Sequence, residues 1–297
     1  MSSKRLAVVL QGVKSVDQVP GLEAAGRDVE WRCAPTADDL SEMLPGAEVL
    51  LGWDFRASEL RAAWGQADRL RWIQWSGAGV DALLFPELVS SDVVLTNARG
   101  VFDRAMAESV LGFMLSFAKG FTETFRAQAE RRWNYRWTEQ LMGREVLIVG
   151  VGSIGREIAR LLSAAGLKVQ GVGRSARTGD ADFGIISAVS DLDQCLAQSD
   201  YVVAIPPLTP DTHGLFGAKQ FASMKKQPAL CRQMVWAVTR SYNGCAGRLL
   251  GWGQWLGSSV ISLTTPPKKS NMHCSATAMN TIACSVSWNR GWQTATT

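Results

Sequence analysis

Glu145-Val146-Leu147-Ile148-Val149, a run of strand length, leads without a break into Gly150-Val151-Gly152-Ser153-Ile154-Gly155. A G-x-G-x-x-G pattern alone is weak. Here a buried strand precedes it, and Ile154, Ile158, Leu161, Leu162 and Ala165 then mark one face of a helix ending at Gly166. A second strand, Leu167–Val172, follows at once. This is the start of a βαβ unit. Its first glycine makes the turn, the second lets the backbone approach a pyrophosphate, and the third packs helix on strand. The helix N-terminus supplies free N–H groups and the positive end of its dipole. Gly150, Gly152, Ser153, Ile154 and Gly155 are therefore the candidate residues for holding a dinucleotide.

An NAD site usually places Asp or Glu about twenty residues past the glycine motif, where it binds the ribose 2′-OH. This chain has Gly171-Val172-Gly173-Arg174-Ser175-Ala176-Arg177 there. With no carboxylate and two arginines, the segment is suited to a 2′-phosphate, which a guanidinium fork can grip. NADP is preferred over NAD on this reading, with Arg174 as the candidate ligand. The alternative is that both arginines are solvated loop charges. Downstream, Asp191–Ala197 reads as a short helix and Tyr201–Ile205 as another buried strand, ended by Pro206. Ligands of open α/β sheets lie outside the carboxyl ends of strands, which puts Pro206 at the border of the cofactor crevice. Otherwise it is a strand terminator.

The first hundred residues alternate apolar runs (Leu6–Leu10, Val49–Leu51, Trp72–Trp75, Val93–Leu95) with amphipathic segments near 37–44 and 57–63. Such alternation favours a parallel α/β sheet. Trp72–Trp75 runs into Ser76-Gly77-Ala78-Gly79-Val80-Asp81, where small residues allow backbone N–H groups to converge on an anion. A plain strand-to-helix turn explains the same residues. From about Arg104 to Glu130 the apolar residues recur at helical spacing, which predicts one long helix, able to connect two domains. Arg131-Arg132-Trp133-Asn134-Tyr135-Arg136-Trp137 then interleaves basic and aromatic residues. Stacking on single-stranded nucleic acid is one use for such a stretch. An aromatic arm packed on a neighbouring domain or subunit is the better one.

A chain of 297 residues, 46% hydrophobic and 20% charged, is long enough for two globular domains. No run approaches the length of a membrane span, and the opening apolar stretch is short for a signal peptide, so a cytoplasmic protein is expected. The 6 cysteines contain no C-x-x-C pair, which argues against a metal site and for reduced thiols. The net charge of +4 is unevenly placed: all 27 acidic residues lie at or before Asp211. The basic residues after it are sparse and unclustered, which argues against a nucleic-acid footprint.

Taken together, Trp75-Ser76-Gly77-Ala78-Gly79-Val80-Asp81, Thr96-Asn97-Ala98-Arg99-Gly100 with Ala107-Glu108, the glycine motif and Pro206–Thr212 resemble the D-isomer-specific 2-hydroxyacid dehydrogenases in order and spacing. The resemblance covers roughly residues 1–226. It implies an α/β architecture of two parallel-sheet domains: a flavodoxin-like substrate domain over 1–100 and a Rossmann NAD(P)-binding domain over 101–226, inserted into the first. It also implies a homodimer and hydride transfer between nicotinamide and C2 of a small 2-oxo or 2-hydroxy acid such as glyoxylate or hydroxypyruvate. Ala78 and Gly79 would present their N–H groups to the substrate carboxylate.

The family takes a His, an Arg and a Glu from its C-terminal third. After Met224-Lys225-Lys226 this chain departs from the family pattern, and no acidic residue follows Asp211. Neither Arg232 nor Arg240 sits in a family-like context. His273, in His273-Cys274-Ser275-Ala276-Thr277, loosely resembles the family's histidine segment and is the candidate catalytic residue. Residues 227–297 form an irregular tail without clean periodicity, expected to be out of frame or divergent and to remove the last strands of the cofactor sheet. Coding DNA with an Asn-x-x-Arg-Gly segment in another frame would support the first origin. Beside the dehydrogenase stand two further readings, a non-catalytic dinucleotide-binding protein and an inactive product.

Overall fold

The apolar runs of the first hundred residues pair side by side as β1 (Leu6–Gln11), β2 (Val29–Ala34), β3 (Val49–Gly52), β4 (Trp72–Trp75) and β5 (Val94–Asn97). The strand order is β2-β1-β3-β4-β5 and every pairing is parallel. This is the flavodoxin-like order expected for the substrate domain. The computed structural model describes residues 5–25, 28–225, 234–236 and 250–251, and the chain divides after Val101 into two units.

Strand β2 was not among the expected strands. Its sequence Val-Glu-Trp-Arg-Cys-Ala carries two charges, and only its pairing along β1 makes it a strand. Short helices α1 (Ala37–Met43), α2 (Leu60–Ala63) and α3 (Pro86–Val89) fill the connections. Helix α1 starts where Thr36 and Asp39 exchange side-chain-to-backbone hydrogen bonds, satisfying N–H groups a helix end leaves open. One core gathers Leu40, Leu44, Leu50, Ile73, Trp75 and Leu83, each no more than 1% exposed.

Trp75 is accommodated by a missing side chain. Gly52 on β3 sits opposite Trp75 on β4, and a Cβ on Gly52 would lie 2.0 Å from the indole Cε3. The ring has no room to retreat, since Trp75 is 1% exposed. Gly52→Ala is therefore expected to cost about 2 kcal/mol through overpacking, read as a lower midpoint in urea unfolding. An unchanged midpoint would mean the indole can rotate away.

The second unit begins with α4 (Asp103–Ala118) and α5 (Phe121–Ala129). The single long helix expected here is broken at Gly120, whose φ of +62° is left-handed and ends the α4 path. Then come β6 (Glu145–Val149), α6 (Ser153–Ala164), β7 (Lys168–Gly173), β8 (Arg177–Asp180), β9 (Gly184–Ala188), α7 (Leu192–Gln198), β10 (Tyr201–Ala204), α8 (Ala218–Ser223), β11 (Met234–Trp236) and β12 (Leu250–Gly251). The sheet order is β12-β11-β10-β6-β7-β9-β8, parallel except for β8. With β8 set aside, this is the 3-2-1-4-5-6 order of a dinucleotide-binding sheet, reversing direction between β6 and β10.

Strands β11 and β12 fall in the tail that was expected to remove the last strands of this sheet. Instead both pair in parallel, β11 with β10 and β12 with β11. An extended stretch of almost any composition can do this, because the pairing satisfies backbone N–H and C=O groups and not side chains. The core under the sheet joins α4 and α6 to β6 and β10 through Ala107, Val110, Met114, Ile148, Ile158 and Val203.

Candidate functional site

The glycine turn lies at the carboxyl end of β6, beside the point where the strand order reverses. Its three glycines have different tasks. Gly150 has φ +111°, and a Cβ there would lie 2.5 Å from the Ile205 carbonyl oxygen and 2.8 Å from Pro206 N. It lets the turn lie flat against the end of β10. Gly155 faces back into the turn, where a Cβ would lie 2.0 Å from the Gly150 carbonyl oxygen. Gly152 differs from both: a Cβ would meet nothing within 4 Å. Contacts inside the protein explain Gly150 and Gly155 but not Gly152, whose bare backbone faces open space where an incoming group can approach.

Helix α6 starts on Gly152 with no side-chain cap and no acidic residue in its first turn. The N–H groups of Ser153, Ile154 and Gly155 are thus left at a positive helix end. Gly171 and Gly173 on β7 make room for Val151 of the turn, within 2.9 and 3.1 Å of where their Cβ atoms would be. Pro206 follows Ile205, whose N–H donates to Val149 O at 2.8 Å. The turn, Pro206 and the α6 N-terminus therefore converge at one end of the sheet, and this donor set fits the pyrophosphate of a dinucleotide.

The two arginines past β7 are not equivalent. Arg174 is exposed, and among the described residues it takes part in no hydrogen bond or ion pair. Arg177 instead donates from Nε to Asp180 Oδ2 at 3.3 Å. Asp180 is the centre of a network that sequence reasoning missed. Arg156 of α6 grips its carboxylate with both Nη atoms, at 2.9 and 2.8 Å, and reaches Asp182 at 2.7 Å. The N–H groups of Asp182 and Phe183 also donate to Asp180 Oδ1. The Arg156 guanidinium foremost holds the Asp180 carboxyl far below the usual carboxylate range. So committed, and only 7% exposed, Asp180 is not available to a ribose hydroxyl.

In the first unit, Ser76–Val80 follows β4 at the carboxyl end of its sheet. Ser76 Oγ donates to Trp53 O at 2.7 Å. The Gly77 carbonyl accepts from Ala98 N–H at 3.1 Å, and the Ala78 carbonyl accepts from Asn97 Nδ2 at 2.7 Å. Because a trans peptide points its C=O and N–H in opposite directions, these two anchors turn the Ala78 and Gly79 N–H groups the other way. Neither N–H donates to another described residue. The result is a pair of adjacent free donors suited to a carboxylate. Asn97 and Ala98 belong to the Thr96–Gly100 motif, and their hydrogen bonds give that motif a structural task.

The basic and aromatic segment after α5 has a period of two. Asn134 and Arg136 turn toward α5, binding Glu123 and the carbonyls of Lys119 and Gly120, and Arg132 pairs with Glu123. Trp133, Tyr135 and Trp137 point out, and are 89%, 72% and 90% exposed. His273 lies outside the described residues. Among those residues no cluster of His, Cys, Asp or Glu could hold a metal ion, and no helix is long and apolar enough to cross a membrane.

Residues 111–231 match the family model described as D-isomer specific 2-hydroxyacid dehydrogenase, NAD binding domain. A solved D-isomer specific 2-hydroxyacid dehydrogenase family protein from Aeromonas salmonicida subsp. salmonicida A449 is 31% identical, with TM-score 0.66, covering 78% of this chain and 72% of that one. A D-isomer specific 2-hydroxyacid dehydrogenase from Xanthobacter autotrophicus Py2, solved with NADPH and MES, is 27% identical with TM-score 0.61, covering 78% of this chain and 71% of that one. The glycerate dehydrogenase of Methylorubrum extorquens is 25% identical over 265 residues, 85% of this chain and 79% of that protein. For curated relatives more widely the chain spans less, 40% of the D-3-phosphoglycerate dehydrogenase of Methanocaldococcus jannaschii and down to 28% in others.

Proposed function

Because the chain belongs to the D-isomer specific 2-hydroxyacid dehydrogenase family, we propose that it is an NADP-preferring oxidoreductase reducing a small 2-oxo acid of the glyoxylate or hydroxypyruvate type. The observation that carries this reading is the glycine turn, closed against Ile205 and Pro206 at Gly150 and open at Gly152. When bound, the nicotinamide supplies the hydride for C2 of the acid. The chain's own residues do the rest. Gly150, Gly152, Ser153, Ile154 and Gly155 hold the pyrophosphate, Pro206 borders the cofactor, and Arg174 grips the 2′-phosphate. Ala78 and Gly79 bind the substrate carboxylate through N–H groups that Asn97 and Ala98 orient. His273 donates the proton to the carbonyl oxygen.

Preference for NADP is supported by the uncommitted Arg174 and by the engagement of Asp180 elsewhere. A homodimer is supported by the outward row of Trp133, Tyr135 and Trp137: aromatic residues are enriched at protein interfaces, where a second copy would shield them from water.

Thermal unfolding with each cofactor tests the reading. A ligand at roughly 100 times its Kd stabilises the folded state by about 2.7 kcal/mol, worth about 5–10 °C for a unit of this size. NADPH is expected to produce that shift at lower concentration than NADH. Arg174→Ala is expected to weaken NADPH about tenfold, the loss of a charged hydrogen bond, while leaving NADH unchanged. Equal affinity of the wild-type protein for both would remove the NADP preference. Turnover with glyoxylate or hydroxypyruvate, followed by loss of the reduced cofactor, tests the chemistry. Family membership does not favour the alternative reading, a dinucleotide-binding protein without turnover. That alternative predicts the same thermal shift and no consumption of cofactor.

A further inference from the structure

Arg174 sits in a short turn between β7 and β8, and what fixes that turn lies outside it. β8 and β9 form an antiparallel hairpin whose far end carries Asp180 and Asp182. Arg156 reaches across from the first turns of α6, the helix that the glycine turn opens. Its fork binds both Asp180 oxygens and one oxygen of Asp182. The guanidinium lies 5.8 Å from the centre of the Phe183 ring, and Phe183 packs where a Cβ on Gly171 would be, 2.9 Å away. The hairpin is thus fastened to the helix and seated on the strand that leads into the turn. Asp180 makes a second link as well, drawing Arg177 toward itself.

We propose that Asp180 is a positioning residue for cofactor recognition: through Arg156 it fixes the turn that presents Arg174, and by holding Arg177 it leaves recognition of the 2′-phosphate to Arg174. This rests on the NADP reading above and deepens it. The bidentate fork is what makes the link directional, because a planar guanidinium gripping both carboxylate oxygens fixes orientation as well as distance. An ammonium in its place keeps the charge and loses the orientation.

Calorimetric titration of the full chain with NADPH and with NADH tests this. Asp180→Asn and Arg156→Lys are each expected to weaken NADPH about tenfold and to change NADH less than about twofold, since NADH places only a neutral 2′-hydroxyl at the turn where NADPH places a charged phosphate. Arg177→Ala is expected to leave NADPH within about twofold, because Arg177 is already committed. Equal weakening of both cofactors by Asp180→Asn and Arg156→Lys would show a general structural role and overturn the proposal, as would loss of the cooperative thermal transition in both variants. A larger loss of NADPH in Arg177→Ala than in Asp180→Asn would make Arg177 the phosphate ligand and also overturn it. Failure of the underlying reading looks different: the wild-type protein itself would not prefer NADPH. A wild-type preference that survives intact in Asp180→Asn sinks only the role of Asp180.

Discussion

Gly155→Ala is expected to destabilise the second unit by about 3 kcal/mol or more, at the upper end of what overpacking costs. The new methyl would lie 2.0 Å from the Gly150 carbonyl oxygen, far inside van der Waals contact. The obstacle is backbone, so no rotamer change relieves it. Nor can the turn retreat, because Gly150 already lies against the Ile205 carbonyl and Pro206. Only a shift of α6 away from β6 would make room, and it would loosen Ile158 and Leu162, both 0% exposed. Urea unfolding followed by circular dichroism reads the loss, which should appear in the second unit and spare the first. Stability within about 0.5 kcal/mol of wild type, a typical surface-mutation effect, would show that the helix can slide without penalty.

Gly152→Ala should do the reverse. Its Cβ would meet nothing, and its φ of −75° is one that any residue adopts, so stability should stay within about 0.5 kcal/mol. The methyl would instead occupy the space through which the pyrophosphate meets the α6 N-terminus. Affinity for dinucleotide is expected to fall about a hundredfold, or close to 2.7 kcal/mol. NADPH and NADH should lose equally, since both carry the pyrophosphate, and this separates the variant from Arg174→Ala. Titration of a folded Gly152→Ala protein that bound either cofactor at wild-type strength would remove the pyrophosphate from this turn.

Features governed by local pattern were legible in the sequence. The glycine turn declared itself because strand, turn and helix follow one another within about twenty residues and each obeys its own period. Val49–Leu51 and Tyr201–Ile205 could be read as strands because burial on both faces demands continuous apolar runs. Strand β2 and the β8–β9 hairpin could not, since Glu30, Arg32, Arg177 and Asp180 interrupt any apolar pattern and pairing alone makes these segments extended. The break between α4 and α5 was hidden because the apolar spacing resumes in register after Gly120. Among the site residues, Arg174 was visible as a charge in a telling place. The commitment of Arg177 was not, because it depends on Asp180 being fixed by Arg156, twenty-four positions away along the chain. The space for Trp75 in Gly52 is hidden for the same reason: the two meet only across strands.

The hairpin that follows Arg174 also ends the sheet. A parallel sheet finishing on β9 would offer its outermost backbone donors and acceptors to any extended chain nearby. Strand β8 covers that margin running in the opposite sense, with Arg177, Thr178 and Gly179 exposed and its pairing irregular between Thr178 and Asp180. Short, charged and irregular, it is a poor template for a further strand. Substitutions that made this strand apolar would therefore be expected to trade monodispersity for strand-by-strand association, whatever they did to cofactor choice.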